Sequence, residues 1–348
     1  DETCAADGLC ATSCPVEIDT GKLIKHLRSA QLRPPAHRLA DWIGDHMGTV
    51  TRLTRLGLGA ADAVHGLIGA QRMRRLSEAL RRLSLGRLPL WTPWMPTSAA
   101  AVACVPVRAA TPRRVVYFPS CITRSMGPAR GAEAEGDVPA VTARLIRKAG
   151  LEIVYPEKME SLCCGMPFAS KGIDDVADKR ARELGRALLA ASDNGRLPVV
   201  CDMSPCLHHM RETLDRRLRL YEPIRFTLEV LAPHLKFRKL PETVAIHTVC
   251  SAKKMGLEAP LRQLAEMCAE KVAAPEVVCC GFAGDRGFTH PELNAFGLRR
   301  LAGQIPADCA GGYSTSRTCE IGLSHHSGVN YRSILYLVDR ATEAAAGG

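Results

Sequence analysis

The triplet CysCysGly occurs twice, in LCCGMPFASKG (residues 162–172) and in VCCGFAGDRGF (278–288), each at the same place in a longer internal repeat. RRVVYFPSC, ending at Cys121, parallels ETVAIHTVC, ending at Cys250. Helix-like stretches follow, VPAVTARLIRKAG and APLRQLAEMCAEKV, and then second strands leading into the adjacent cysteines. Another helical pattern comes next in each copy, DDVADKRARELGRALLAAS and HPELNAFGLRRLAGQI. A third strand then ends in one more cysteine, PVVCDMSPC to Cys206 and GGYSTSRTC to Cys319, and a last helix closes each half. Alternation of strands and helices predicts an α/β fold with parallel sheets and right-handed crossovers. In such sheets the carboxyl ends of the strands share one edge, where ligands bind. Cys121, Cys163, Cys164 and Cys206 are therefore expected to converge, and so are Cys250, Cys279, Cys280 and Cys319.

Adjacent cysteines close a disulfide only with a strained peptide between them. Side by side in a loop, two thiolates instead reach two metal atoms of one cluster, or one of them bridges. Gly165 and Gly281 let the backbone approach closely, because no side chain intrudes. Four soft thiolates favour zinc or an iron–sulfur cluster over hard cations. Structural zinc sites take their ligands in close pairs, so the long spacings here are less typical of zinc. Buried, inert cysteine is the ordinary alternative, but two copies at equivalent positions of a repeat argue against it.

The N-terminal stretch TCAADGLCATSCPVEIDTGKLIK carries a third pattern. The bacterial ferredoxin run is C-x2-C-x2-C-x3-C-P. Cys4, Cys10, Cys14 and Pro15 fit it, with Asp7 in place of the second cysteine. An aspartate oxygen is a harder and more labile iron ligand, so a [4Fe-4S] cluster with one exchangeable iron, or a [3Fe-4S] cluster, is expected. In two-cluster ferredoxins the fourth cysteine serves the other cluster. Its other ligands would lie upstream of Asp1, so the chain reads as part of something longer.

The doubled pattern Cys…CysCysGly…Cys, over roughly residues 113–340, resembles the cysteine-rich CCG domain found in heterodisulfide reductase and in the iron–sulfur component of glycolate oxidase. With the ferredoxin-like head and a helical link, the whole is similar to the C-terminal third of FAD-linked, cytochrome-type D-lactate dehydrogenases; AADGLCATSCPVEIDTGKLIK and CDMSPC carry that likeness. The resemblance implies two CCG domains, 111–238 and 239–348, preceded by a partial ferredoxin-type segment, 1–21, and a basic helical linker region, 22–110. It implies FAD in an absent upstream domain that takes a hydride from D-lactate to give pyruvate. Electrons would pass through Cys4, Asp7, Cys10 and Cys14 and the CCG cysteines to a cytochrome or quinone. This stretch alone is then inactive. The full motif of heterodisulfide reductase ends in Cys-x-x-Cys and helps hold a non-cubane cluster. Here Met203 and Ser316 stand three residues before Cys206 and Cys319, and Cys201 is the nearest substitute in the first half. Other readings are a zinc-binding docking module, thiol–disulfide chemistry of the heterodisulfide reductase kind, and oxidation of glycolate or 2-hydroxyglutarate.

The 348 residues suffice for two ordinary domains. No run of 18 apolar residues and no basic-then-apolar leader is present, so the expected place is the cytoplasm, with peripheral contact at the inner face of the membrane. Fifteen cysteines grouped in short clusters, without an export signal, read as metal-binding thiols. The net charge of +10 is concentrated: residues 22–90 hold 13 Lys or Arg against four Asp or Glu, a surplus of nine. Such a segment suits acidic lipid headgroups or an acidic protein, or is a set of solvated helix faces. Nucleic acid is not expected, since Trp42 is the one aromatic residue there to stack on bases. The pairs His208–His209 and His325–His326 read as helix-start or surface histidines. Asp285 and Arg286 read as loop residues, and Cys104, Cys268 and Cys309 lack counterparts in the repeat.

Overall fold

A computed structural model of the chain describes residues 3–86, 88–103 and 113–345. Cys104 and the 110/111 boundary lie outside the described residues.

Three helices follow the head: α1 (Thr20–Ala30), α2 (Pro34–Asp45) and α3 (Met47–Leu83). Asp19 caps α1 by accepting from the Gly21 amide, and Pro34 opens α2 at the position where its missing N–H is harmless. α3 is interrupted at Gly69, whose φ of 77° and ψ of 165° are not helical. The stretch read as a linker contributes structure of its own: Pro96–Ser98 forms a short strand antiparallel to Met126–Ala129.

The first half contains β1 (Arg114–Phe118), α4 (Val138–Lys148), β2 (Glu152–Val154), α5 (Asp174–Ala191), β3 (Pro198–Cys201), α6 (Ser204–Thr213) and β4 (Arg219–Tyr221). The second contains β5 (Leu240–Ile246), α7 (Glu258–Cys268), β6 (Ala269–Ala273), β7 (Cys309–Ser314), α8 (Arg317–Ser327), β8 (Tyr331–Ser333) and α9 (Ile334–Arg340). The sheet orders are β2-β1-β3-β4 and β6-β5-β7-β8, with every pairing parallel. The two sheets therefore share one topology. Val115–Phe118 are buried on both faces, as a central parallel strand requires. α4 buries Val138, Val141, Leu145 and Ile146, one helical face.

The halves are fused at their backs. One apolar core runs through both, from Val115 and Leu145 to Leu264 and Leu337. Asp339 of α9 pairs with Arg144 at 2.5 Å and Lys148 at 2.7 Å, both on α4. Leu235–Phe237 pairs antiparallel with Thr342–Ala344. The helical region packs on α5: Ala40 and Met47 join Cys163, Phe168 and Val176, while Asp45 meets Lys179 at 2.8 Å and Arg180 at 2.6 Å.

Three expectations are corrected here. Each sheet has a fourth strand, β4 or β8, after the helix expected to close the half. Cys206 and Cys319 stand not at strand ends but in the first turns of α6 and α8. The helix expected across HPELNAFGLRRLAGQI is regular only over Pro291–Gly297, followed by a short turn at Ala302–Gln304.

Candidate metal centre

Each thiol is placed by a strand end. Past β1, Ser120 caps a short helix, Cys121–Ser125, by accepting from the Thr123 amide at 3.3 Å. This puts Cys121 at the sheet edge. Past β2, the loop presents Cys163 and Cys164. Past β3, the first turn of α6 presents Cys206, and Cys201 is the last residue of β3. The sulfurs meet in a row: Cys121 touches Cys163, Cys163 touches Cys164, Cys164 touches Cys206, and Cys206 touches Cys201. Contact with Cys163, then burial, drives the Cys121 thiol well above its ordinary value. Contact with Cys121 pulls Cys163 down, but contact with Cys164 and burial outweigh it and push Cys163 up to about 12. Neutral thiols are thus favoured until a cation compensates the row.

The second half repeats the pattern with one thiol fewer. Cys250 opens the helix Cys250–Lys254, and Cys279, Cys280 and Cys319 touch in sequence. Cys250 does not touch Cys279, but it feels that charge. Burial first, then the charges of Cys279 and Asp7, pushes it up to about 12. The counterpart of Cys201 is Ser314, which is turned toward Glu320 at 3.4 Å. At the opposite end of the row a residue from the head enters. The Cys279 thiol donates to Asp7 Oδ2 at 3.5 Å.

The loops are held in the same way in both halves. Gly165 has a φ of +92° and its N–H donates to Cys163 Sγ at 3.4 Å; Gly281 has a φ of +70° and donates to Cys279 Sγ at 3.3 Å. A Cβ on Gly165 would stand 2.5 Å from Ala177 O, so the glycine permits both the turn and the approach to α5. Three residues after the strand-end cysteine stands a cation. Arg124, fully buried, donates to Met159 O at 2.8 Å and Leu162 O at 2.6 Å. Lys253 reaches Val277 O at 3.4 Å and Val278 O at 3.2 Å. Each cation clamps the carbonyls leading into CysCysGly. Sequence reasoning passed over the pair, although aligning the repeats puts Arg124 and Lys253 in register. Asp202, also missed, is buried and accepts from Tyr117 Oη at 2.8 Å, Ser120 N at 3.0 Å and Thr123 Oγ1 at 2.8 Å. It ties the Cys121 turn to the strand end that carries Cys201.

The two sets are neighbours. Ser204 Oγ donates to Thr315 Oγ1 at 2.7 Å, and Lys171 pairs with Asp285 at 2.6 Å, joining the two CysCysGly loops. The head lies over both: Arg28 donates to Cys4 O and to Ser170 O, each at 2.7 Å. Among the described residues no contact joins the Cys4, Cys10 and Cys14 thiols, and Cys10 is exposed beside Thr20 at 3.0 Å. His208 pairs with Glu212 at 3.5 Å, and burial lowers the His209 pKa. His325 and His326, with Phe282, Phe288 and Ile321, line a cavity of about 260 Å³ beside the Cys280 and Cys319 segments. Cys268 is core, and Cys309 sits at the start of β7.

The donor chemistry fits a polynuclear group. Every described cysteine is a free thiol. Among the described residues no three Cys, His, Asp or Glu side chains surround one point as a single ion needs. A row of sulfurs, with backbone N–H groups donating to it, matches several metal atoms better than one.

Residues 115–211 match the family described as the CCG cysteine-rich domain. The chain is also 28% identical, over 164 residues, to the C subunit of the anaerobic glycerol-3-phosphate dehydrogenase of Escherichia coli, strain K12, and equally to that of strain O157:H7. The match covers 42% of this chain and 40% of each relative. The chain thus carries a CCG domain and is related to one component of a dehydrogenase.

Proposed function

We propose that this chain is the iron–sulfur electron-relay part of a flavin-dependent dehydrogenase that oxidises a secondary alcohol. The observation that carries the reading is the pair of converging sulfur rows on one side of two fused sheets. Cys121, Cys163, Cys164 and Cys206, with Cys201 beside them, would hold the first group, and Cys250, Cys279, Cys280 and Cys319 the second. Cys4, Cys10 and Cys14 would ligate a cluster in the head, completed by residues upstream. Bound clusters supply one-electron steps, which a flavin carrying two electrons from a hydride requires. The chain's own residues position the sulfurs, exclude water from them and donate amide hydrogens to them.

The reaction proposed for the whole protein is D-lactate to pyruvate, a choice that the head and CDMSPC segments support; 2-hydroxyglutarate, a secondary 2-hydroxy acid, and glycolate, a primary one, are the alternative substrates. Glycerol 3-phosphate, named for the relatives, is also a secondary alcohol. The apolar cavity with two histidines favours a quinone ring over a cytochrome as acceptor, since it offers an apolar lining and imidazole side chains beside the second set. The basic helical region would face the flavin-bearing part or an anionic membrane surface. Among the described residues no helix is long and apolar enough to cross a membrane.

Iron, acid-labile sulfide and zinc are measured on protein purified without oxygen, beside a visible spectrum. Iron and sulfide in matching amounts, reduced when Cys163 and Cys164 or Cys279 and Cys280 become Ser, are expected. Zinc without sulfide or colour overturns the reading in favour of a docking module. Bleaching of the parent protein by D-lactate but not by glycerol 3-phosphate separates the substrates.

A further inference from the structure

The second sulfur row lacks the fifth thiol that Cys201 gives the first, and Cys250 stands apart from Cys279 where Cys121 touches Cys163. At that opening lies a carboxylate from a remote part of the chain. Asp7 Oδ2 is 3.5 Å from Cys279 Sγ, and its charge acts on both Cys279 and Cys250. We infer that Asp7 is the oxygen ligand of the second metal group, at its Cys250–Cys279 end, rather than a ligand of the head. The assignment rests on the electron-relay reading above.

The carboxylate is held for this role. Oδ1 accepts from the Leu9 amide at 3.1 Å, which fixes the side chain and leaves Oδ2 aimed at the thiol. The backbone around it is clamped on both sides. Arg28 holds the Cys4 carbonyl at 2.7 Å, and a Cβ on Gly21 would stand 3.2 Å from the Ala6 backbone. Gly8, at a φ of +69°, lies beside the end of the Lys254 side chain, and Lys254 belongs to the short helix opened by Cys250. Cys10, by contrast, is exposed and turned to Thr20. Asp7 therefore lies with the second row, and its sequence position in the ferredoxin-like run is not where its oxygen points.

An oxygen donor is harder and more labile than a thiolate, so an iron held through Asp7 would exchange more readily than one held by cysteines alone. The two sulfur rows are then chemically unequal: five sulfurs in the first, four sulfurs and one oxygen in the second. The head is also tied to the second half through the metal group itself.

The test uses anaerobically purified chain with 57Fe, read by Mössbauer and electron paramagnetic resonance spectra. Cys10→Ser marks signals that depend on the head, and Cys279→Ser marks those of the second row. Asp7→Ala is expected to abolish or shift the Cys279-dependent signal and lower the iron that accompanies it, leaving the Cys10-dependent signal intact. Asp7→Cys is expected to restore the iron with an altered, all-sulfur spectrum. Asp7→Asn, which keeps the shape and the Leu9 contact, is expected to act like Asp7→Ala and so separates lost ligation from lost folding. Loss of the Cys10-dependent signal instead, or no change in either signal, overturns the assignment. Absence of iron from the unaltered chain overturns the electron-relay reading itself and is read before any variant is made.

Discussion

At the scale of single residues, the cations that clamp the CysCysGly loops carry distinct burdens. Arg124 is fully buried, and its removal as Arg124→Met takes the donor from the Leu162 carbonyl, while the Met159 carbonyl keeps the Leu162 amide at 3.1 Å. Unpaired buried polar groups cost roughly 1–3 kcal/mol each. Arg124→Met is therefore expected to lower stability by about 1–3 kcal/mol in thermal unfolding and to deplete the iron that depends on Cys163. Arg124→Lys restores part of both. Lys253 makes longer contacts, 3.2 and 3.4 Å, so Lys253→Met is expected to cost about 1 kcal/mol or less while depleting the iron of the second row. Equal stability losses in the two variants would show that the clamps are not graded by burial. Gly165→Ala offers a second check. A positive φ disfavours alanine by about 1–3 kcal/mol, and its Cβ would meet Ala177 O at 2.5 Å. Gly185→Ala, inside α5, meets only Leu214 Cδ2 at 3.4 Å and is expected to be neutral or to stabilise by up to about 1 kcal/mol.

At the scale of elements, the end of β5 carries an acid-sensitive group. His247 stands where the first half has Phe118, its Nε2 buried without a partner, and burial followed by the charge of Lys253 lowers its pKa to about 3 from an ordinary 6.5. The folded state therefore takes up this proton later than the unfolded chain as pH falls. Its contribution to stability is complete above pH 6.5 and is lost progressively between 6.5 and about 3, at about 1.4 kcal/mol per pH unit. His247→Phe, which copies the first half, is expected to flatten unfolding curves across that window; an unchanged acid limb would place the sensitivity elsewhere. The same pair shows what the sequence discloses. Alternating β-branched and helical runs made both parallel sheets and the convergence of the strand-end cysteines legible. Cys319 was not legible as helical, because the run of small polar residues Ser314–Ser316 hides a helix start, whereas Pro205, in the first turn of α6, is a start signal that the strand reading of Cys206 passed over. β4 and β8 are three residues each, too short to show a period. Asp202 reads as a loop acid until three donors are seen around it. No spacing rule could bring Asp7 to Cys279, because that contact is made by docking of the head, not by local structure.

At the scale of the whole molecule, the helical region has an outer face that the two α/β halves do not cover. Three of its four acidic residues are engaged inward: Asp41 and Asp45 meet Lys179, and Asp62 meets Arg130, while Glu78 pairs with Arg74 along α3. Among the described residues, fifteen of the seventeen exposed large apolar side chains lie between Val16 and Leu88, including Leu53, Leu56, Leu67 and Leu83. Arg52, Arg72, Arg75 and Arg82 are exposed among them. Exposed leucines mixed with exposed arginines along α3, on both sides of its break at Gly69, suit the interface of an anionic bilayer, where apolar side chains enter the headgroup boundary and each cation adds about 1 kcal/mol. The chain is therefore expected to sediment with phosphatidylglycerol vesicles and not with phosphatidylcholine vesicles. Binding should weaken as salt rises, because surface charges are screened. Leu53→Glu with Leu56→Glu should abolish it while leaving the thiol rows and the iron content unchanged, since neither side chain reaches them. Binding that persists in these variants, or indifference to lipid charge, would assign the face to a protein partner instead, and the flavin-bearing part would be the one to test.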